Sequence, residues 1–303
     1  MSKKNAIEIN ELKKTYSGGV EALKGINFCI KKDEIFGLLG PNGAGKSTTI
    51  SIISSLIHPS SGSAKIFGYD VMESPYEAKK HIGVVPQEFN FNIFEPCEQI
   101  VVNQAGYYGV ERHLAKKRTA ELFEQLGLSD KAKSQSVKLS GGMKRRLMIA
   151  RALVHNPEIL ILDEPTAGVD ISLRRSMWLF LEEQNRKGLT IILTTHYLEE
   201  AESLCNKIAI IDKGEIVEQG KTQELLTKLN KETLVLYTNN IPEGFTSNRF
   251  KKIKDNTLEV VLHKEETVLK IISELEKKGI IVNRIKNKLN RLEELFLDVV
   301  EGT

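Results

Sequence analysis

Residues 35–50 read Ile-Phe-Gly-Leu-Leu-Gly-Pro-Asn-Gly-Ala-Gly-Lys-Ser-Thr-Thr-Ile. The first five, Ile35 to Leu39, make a short apolar run of the kind that forms a buried strand. Gly40 to Ser47 then fit G-x-x-x-x-G-K-[ST] residue for residue. From Thr48 the chain can continue as a helix. Strand, glycine-rich turn and helix are the context that gives this pattern a mechanism. The glycines let backbone N–H groups converge on a polyanion, and the helix start adds partial positive charge. Lys46 reaches the terminal phosphates, and Ser47 can ligate Mg²⁺. An ordinary glycine-rich turn needs none of these coincidences. Gly40, Pro41, Asn42, Gly43, Ala44, Gly45, Lys46, Ser47 and Thr48 are therefore the expected phosphate-binding residues of a nucleotide site.

Working outward, the 303 residues suffice for one large domain or two unequal ones. Hydrophobic residues at 41% and charged residues at 27% are ordinary for a globular protein. The net charge of +3 is small and the basic residues are dispersed, so no nucleic acid is expected as a partner. Cys29, Cys97 and Cys205 are far apart and form no C-x-x-C, which suggests reduced thiols in a cytosolic protein. Met-Ser-Lys-Lys-Asn-Ala at the start lacks the apolar core of a signal peptide. No stretch approaches 18 apolar residues, so any membrane crossing is expected from a separate polypeptide.

Residues 6–12 and 26–32 alternate well enough for strands of an antiparallel layer. Tyr16, in the turn between them, could stack on a nucleotide base or simply pack. Ala64–Phe67 reads as a short strand, and Ile82-Gly-Val-Val-Pro86-Gln87 as another that ends at a proline. Residues 88–139 read as a mainly helical insert whose start is rich in aromatics, namely Phe89, Phe91 and Phe94. Leu122, Phe123 and Leu126 share a helical face before Gly127, a plausible stop. Leu139-Ser-Gly-Gly-Met143 opens a helix that Pro157 closes. Ile159-Leu-Ile-Leu162 is a buried strand ending in Asp163 and Glu164. A parallel sheet places acidic site residues at such carboxyl ends. A turn at Ala167-Gly-Val-Asp170, a helix over about 171–187 and the strand Thr190–Thr195 follow, with His196 at the end. Strands alternating with helices predict an α/β fold with a parallel sheet.

From about 225 the composition shifts to a small α+β appendage. Three strands are expected, near 233–238, 257–262 and 280–285. Val268, Ile271, Ile272 and Leu275 form one helical stripe, and Leu292, Leu295, Phe296 and Val299 form another. One stripe is enough for a sheet of that size. The second is expected to cover either the same sheet or a partner chain.

Taken together, the P-loop, Gln87, Leu-Ser-Gly-Gly-Met, Ile-Leu-Ile-Leu-Asp-Glu and His196 resemble the nucleotide-binding subunit of an ABC transporter. The order and spacing match over residues 6 to about 222. Gly-Gly-Met-Lys-Arg-Arg-Leu, Thr194-Thr-His-Tyr-Leu-Glu-Glu-Ala-Glu202 and Arg-Leu-Glu-Glu-Leu-Phe near the end resemble bacterial type-2 exporters. Within these, the likeness is to the drug-resistance group and its YadG-type members. The resemblance implies a P-loop NTPase of ABC ATPase type. That fold has a RecA-like parallel sheet core, an antiparallel β layer and a helical subdomain. It occupies 1–224 here, with an accessory α+β domain over 225–303.

The resemblance also implies roles. Asp163 matches the Walker B aspartate that holds Mg²⁺ with Ser47. Glu164 matches the catalytic glutamate, with a supporting place around Mg²⁺ as its alternative. His196 matches the switch histidine, and Gln87 the glutamine that senses metal and attacking water. Ser140, Gly141 and Gly142 match the signature, a helix start presented to the γ-phosphate of ATP bound by the other subunit. Asp170 matches an aspartate at the same dimer seam. Met143 stands where glutamine is commoner. The aromatic stretch after Gln87 occupies the place where the family receives the permease, although its rings could equally pack within the insert. The implied protein is a homodimeric, Mg²⁺-dependent ATPase on the cytoplasmic face of the plasma membrane. It serves a separate transmembrane permease. The rival is a non-transport ABC ATPase acting on DNA or ribosomes, whose relatives usually carry two nucleotide domains or a long coiled coil.

Overall fold

The computed structural model describes residues 4–166, 170–227, 229, 231–242, 244–263 and 265–300. Of the expected turn at 167–170, the first three residues therefore lie outside the described residues. Contacts divide the chain into two compact units, Met1–Gln219 and Gly220–Thr303.

The first unit begins with β1 (Asn5–Thr15), β2 (Glu21–Lys31), β3 (Ile35–Leu39) and α1 (Lys46–Ile53). It continues through β4 (Ser61–Ile66), β5 (Tyr69–Asp70), α2 (Pro75–Lys80) and β6 (Ile82–Val85). Then come α3 (Cys97–Tyr107), α4 (Arg112–Leu126), α5 (Gly141–Leu153), β7 (Ile159–Asp163) and α6 (Ile171–Arg186). Finally β8 (Thr190–Thr195), α7 (Leu198–Leu204), β9 (Lys207–Asp212) and β10 (Glu215–Lys221) lead to the boundary. A six-stranded sheet has the order β10-β9-β3-β8-β7-β6, and its strands from β9 to β6 pair in parallel. β3 and β8 are buried at every position, the threonines of β8 included, as strands covered on both faces must be. A second sheet, β2-β1-β4-β5, is antiparallel. Phe28 of β2 stacks on Phe36 of β3 with ring centroids 5.3 Å apart, so one apolar cluster serves both sheets. The expected combination of parallel core, antiparallel layer and helical segment is the fold that the chain adopts.

Sheet order decides where chemistry can occur. The carboxyl ends of β3, β8, β7 and β6 lie side by side, with Leu39 paired to Thr195, Thr194 to Asp163, and Leu162 to Val85. The P-loop, His196, the Asp163-Glu164 pair and Gln87 leave the sheet along that one edge. Beyond Gln87 the chain runs irregularly to α3. α4 then ends at Gly127, whose left-handed φ of 66° costs glycine nothing.

In the second unit, α8 (Thr222–Leu226), β11 (Lys231–Thr238), β12 (Phe250–Lys254) and β13 (Thr257–His263) come first. α9 (Val268–Glu276), β14 (Val282–Asn287) and α10 (Arg291–Val300) complete it. The sheet is β12-β13-β11-β14, four strands where three were expected. β12 escapes sequence reading because it is an edge strand, Phe-Lys-Lys-Ile-Lys, with only Phe250 buried. Lysines on an edge deter pairing with other chains and hide the apolar alternation. Ile271 and Leu275 pack the first stripe into the apolar core beneath this sheet. The second stripe also packs inward: Leu292 is fully buried and Leu295 nearly so, and α10 lies against α8. Arg291 donates from Nη2 to the Leu226 carbonyl at 3.3 Å, and Glu294 accepts from the Thr233 N–H at 2.8 Å. Of the two occupants expected for that stripe, Leu292 and Leu295 meet their own unit. This packing also draws α8 into the second unit, so contacts divide the chain before 224.

Candidate functional site

The turn after β3 is built from backbone. At Gly40 a side chain would meet the Ile211 carbonyl at 2.2 Å, and at Gly45, with φ of 115°, the Ala22 carbonyl at 2.7 Å. Glycine is required at both positions by close approach, and at Gly45 by handedness as well. Gly45 is the N-cap of α1, which has no acidic residue in its first turn to compete with an anion. Asn42, Gly43 and Ser47 are exposed around the concavity. Lys46 is 6% exposed, with Nζ donating to the Gly40 carbonyl at 2.7 Å and the Pro41 carbonyl at 3.0 Å. Burial lowers its pKa, while the charges of Glu164 and Asp163 act to raise it. A buried cation at a helix start that carries no acidic residue fits a triphosphate.

The acidic pair follows β7. Asp163 Oδ1 accepts from the Thr194 hydroxyl at 2.5 Å. Glu164 has a left-handed φ of 47°, a strained geometry of about 1–3 kcal/mol for a residue with a Cβ. Its N–H is held by the Thr194 carbonyl and hydroxyl, both at 3.1 Å. Its carboxylate bridges two elements: Oε2 accepts from Gln87 Nε2 at 3.1 Å, and Oε1 lies 3.2 Å from His196 Nδ1. Gln87, Glu164 and His196 thus form one connected group, reached from β6, β7 and β8. No group of three or more His, Cys, Asp or Glu side chains is arranged to hold a metal among the described residues. Mg²⁺ brought in by nucleotide phosphates needs only one or two protein oxygens, and Ser47 with Asp163 fit that demand.

Other expected residues stand apart from this group. Tyr16 is 43% exposed, and its hydroxyl lies 3.3 Å from Thr48 Oγ1, so its ring flanks the P-loop. Ser140 caps α5, accepting from the Met143 N–H at 3.3 Å, a bond that needs only the Met143 backbone. Space is open around Gly141, whereas a side chain at Gly142 would strike Leu173 of α6. No hydrogen bond joins Ser140–Gly142 to the P-loop among the described residues. Asp170 caps α6, accepting from the Leu173 N–H at 3.0 Å and the Ser172 hydroxyl at 2.7 Å. These hydrogen bonds hold its pKa below the usual carboxylate value.

The aromatic stretch after Gln87 has two environments. Phe89 lies under Arg145 at 5.2 Å and Phe91 under Arg151 at 5.9 Å, whereas Phe94 is 66% exposed.

The ABC transporter family model matches residues 23–167. The linearmycin resistance ATP-binding protein LnrL of Bacillus subtilis (strain 168) is 38% identical over 308 residues, covering 98% of this chain and 99% of that protein. The chain belongs to the ABC transporter family. This ABC protein is an ATPase subunit that binds ATP through its P-loop fold. The doxorubicin resistance ATP-binding protein DrrA of Mycobacterium tuberculosis (strain ATCC 25618 / H37Rv) is 40% identical over 221 residues, 73% of this chain and 67% of that one. Among solved structures, the ATP-binding cassette MJ0796, dimeric and bound to ADP and Pi after hydrolysis, gives a TM-score of 0.66. It is 29% identical, covering 71% of this chain and 98% of that one.

Two residues of the ABC site escaped the sequence reading. Thr194 supports both Asp163 and the Glu164 backbone, and its only signal was a place next to the final strand residue before His196. Arg145 binds the backbone at Gln87, and a basic residue on a helix gives no sign that it points inward.

Proposed function

We propose that this ABC ATPase powers a bacterial exporter whose membrane-spanning part is a separate polypeptide. It works as a homodimer that closes around two ATP molecules at the cytoplasmic face of the membrane. The observation that carries this reading is the Glu164 carboxylate, held between Gln87 and His196 beside Lys46 and Asp163. Glu164 polarises the attacking water, and Gln87 and His196 orient that water and the γ-phosphate. Lys46 and the backbone N–H groups at the start of α1, from Gly45 to Thr48, hold the phosphates, and Tyr16 stacks on the base. Ser47 and Asp163 would hold Mg²⁺, which would supply charge neutralisation at the β- and γ-phosphate oxygens. Ser140, Gly141 and Gly142 serve the site of the other copy, because α5 also starts without an acidic residue and Gly141 faces open space. Asp170 lies at the same seam. The accessory domain begins near 220–225.

Export of an antibiotic-like compound is favoured by the names of LnrL and DrrA. A separate permease is favoured because no described helix is long and apolar enough to cross a membrane. Phe94 and Ile93, exposed beyond Gln87, suit its docking. The test is purification from the cell's own membranes. An integral membrane polypeptide should accompany the chain, and the pair should hydrolyse ATP faster than the chain alone. A chain recovered wholly from the aqueous fraction, with no such companion, contradicts the proposal.

A further inference from the structure

Arg145 lies on α5, five residues after Ser140 and deep inside the protein, at 4% exposure. A buried guanidinium ordinarily faces a carboxylate, yet Arg145 has no ion pair among the described residues. Its fork reads main chain instead. Nη1 donates to the Pro86 carbonyl and Nη2 to the Gln87 carbonyl, each at 2.8 Å. The Phe89 ring covers the guanidinium at 5.2 Å. Burial lowers its pKa, and Asp163 and Glu164 are the charges that act to keep it protonated.

The consequence follows from geometry. Two consecutive carbonyls held by one planar fork fix the two peptides that flank the Gln87 Cα. The Gln87 side chain starts from that Cα and ends on Glu164 Oε2 at 3.1 Å. Arg151, one turn and a half further along α5, donates to the Asn90 carbonyl at 3.2 Å and holds the next part of the same segment. Exposed Gln87 has little else to fix it.

The geometry points to Arg145 as a positioning residue: its grip on the Pro86 and Gln87 carbonyls sets the Gln87 amide against Glu164. This rests on the role proposed above for Gln87 and Glu164. Arg145 touches no reacting atom, and its effect passes through Gln87.

The test is a double-mutant cycle on ATP turnover by the full-length chain. Arg145→Lys keeps the charge but reaches only one carbonyl. It should lower kcat about 10- to 100-fold, the scale of a misplaced site group, with KM for MgATP within about twofold. Gln87→Ala should also slow turnover. With Gln87→Ala already present, Arg145→Lys should add less than about twofold, because the two act as one unit. Arg145→Lys at the wild-type rate, or effects that multiply, would overturn the positioning role while leaving Gln87 its own. Gln87→Ala at the wild-type rate would instead remove the reading of Gln87, and the positioning role with it. If Arg145→Lys does not fold, Arg145→Gln, which still donates to one carbonyl, takes its place in the cycle. Failure of both to fold would make Arg145 a core residue and end the proposal.

Discussion

Glu164→Gln should slow ATP turnover by about 10²–10⁴, the usual worth of a positioned general base, while leaving ATP binding intact. The amide keeps the shape of the carboxylate and can still meet Gln87 and His196, so the site should stay assembled. What disappears is the negative charge that draws a proton from water. The bonds from the Glu164 N–H to Thr194 do not involve the side chain, so the strained backbone should persist. Single-turnover hydrolysis and equilibrium binding, measured on the same preparation, separate the two effects. Unchanged turnover would remove Glu164 from the chemistry.

Lys46→Ala should act on the other quantity. Hydrogen bonds to charged groups contribute about 1.5–3 kcal/mol, so ATP affinity should fall roughly 10- to 100-fold. The loss has two sources in this structure. Nζ no longer bridges the carbonyls of Gly40 and Pro41. Asp163 and Glu164 then face the incoming phosphates without the cation that interacts with both. Titration with a fluorescent ATP analogue gives the affinity, and a melting curve checks that the loop still folds. Wild-type affinity would show that Lys46 is not a phosphate ligand.

Much of the first unit was legible because its central strands are short runs rich in β-branched and apolar residues, buried at every position. Thr190–Thr195 and Ile35–Leu39 coincide with the observed strands at both ends, since burial on both faces leaves no ambiguity of period. The P-loop was legible because two glycines are forced by close approach and Lys46 by charge. Residues whose importance lies in tertiary pairing were not legible. Thr194 supports Asp163 only because β7 and β8 are neighbours in the sheet, and local sequence does not specify that register. Arg145 turns inward only because the carbonyls at 86 and 87 lie beneath α5. Asp170 had a local explanation that family likeness obscured: it is a helix N-cap, recognisable from Asp before Ile-Ser-Leu. β12 was lost because edge position replaced alternation with lysines.

The central claim is that two copies share their sites, each giving its Ser140 helix start to the ATP held by the other. The most direct measurement is sedimentation of the Glu164→Gln protein with and without saturating ATP. The chain mass is 34.0 kDa. ATP should convert the protein to a species of twice that mass, because the nucleotide survives and bridges the copies. Ser140→Arg added to Glu164→Gln should abolish that species, since a bulky cation would block the helix start facing the seam. A Glu164→Gln protein that binds ATP yet stays at the mass of one chain would contradict the account, as would a dimer indifferent to Ser140→Arg.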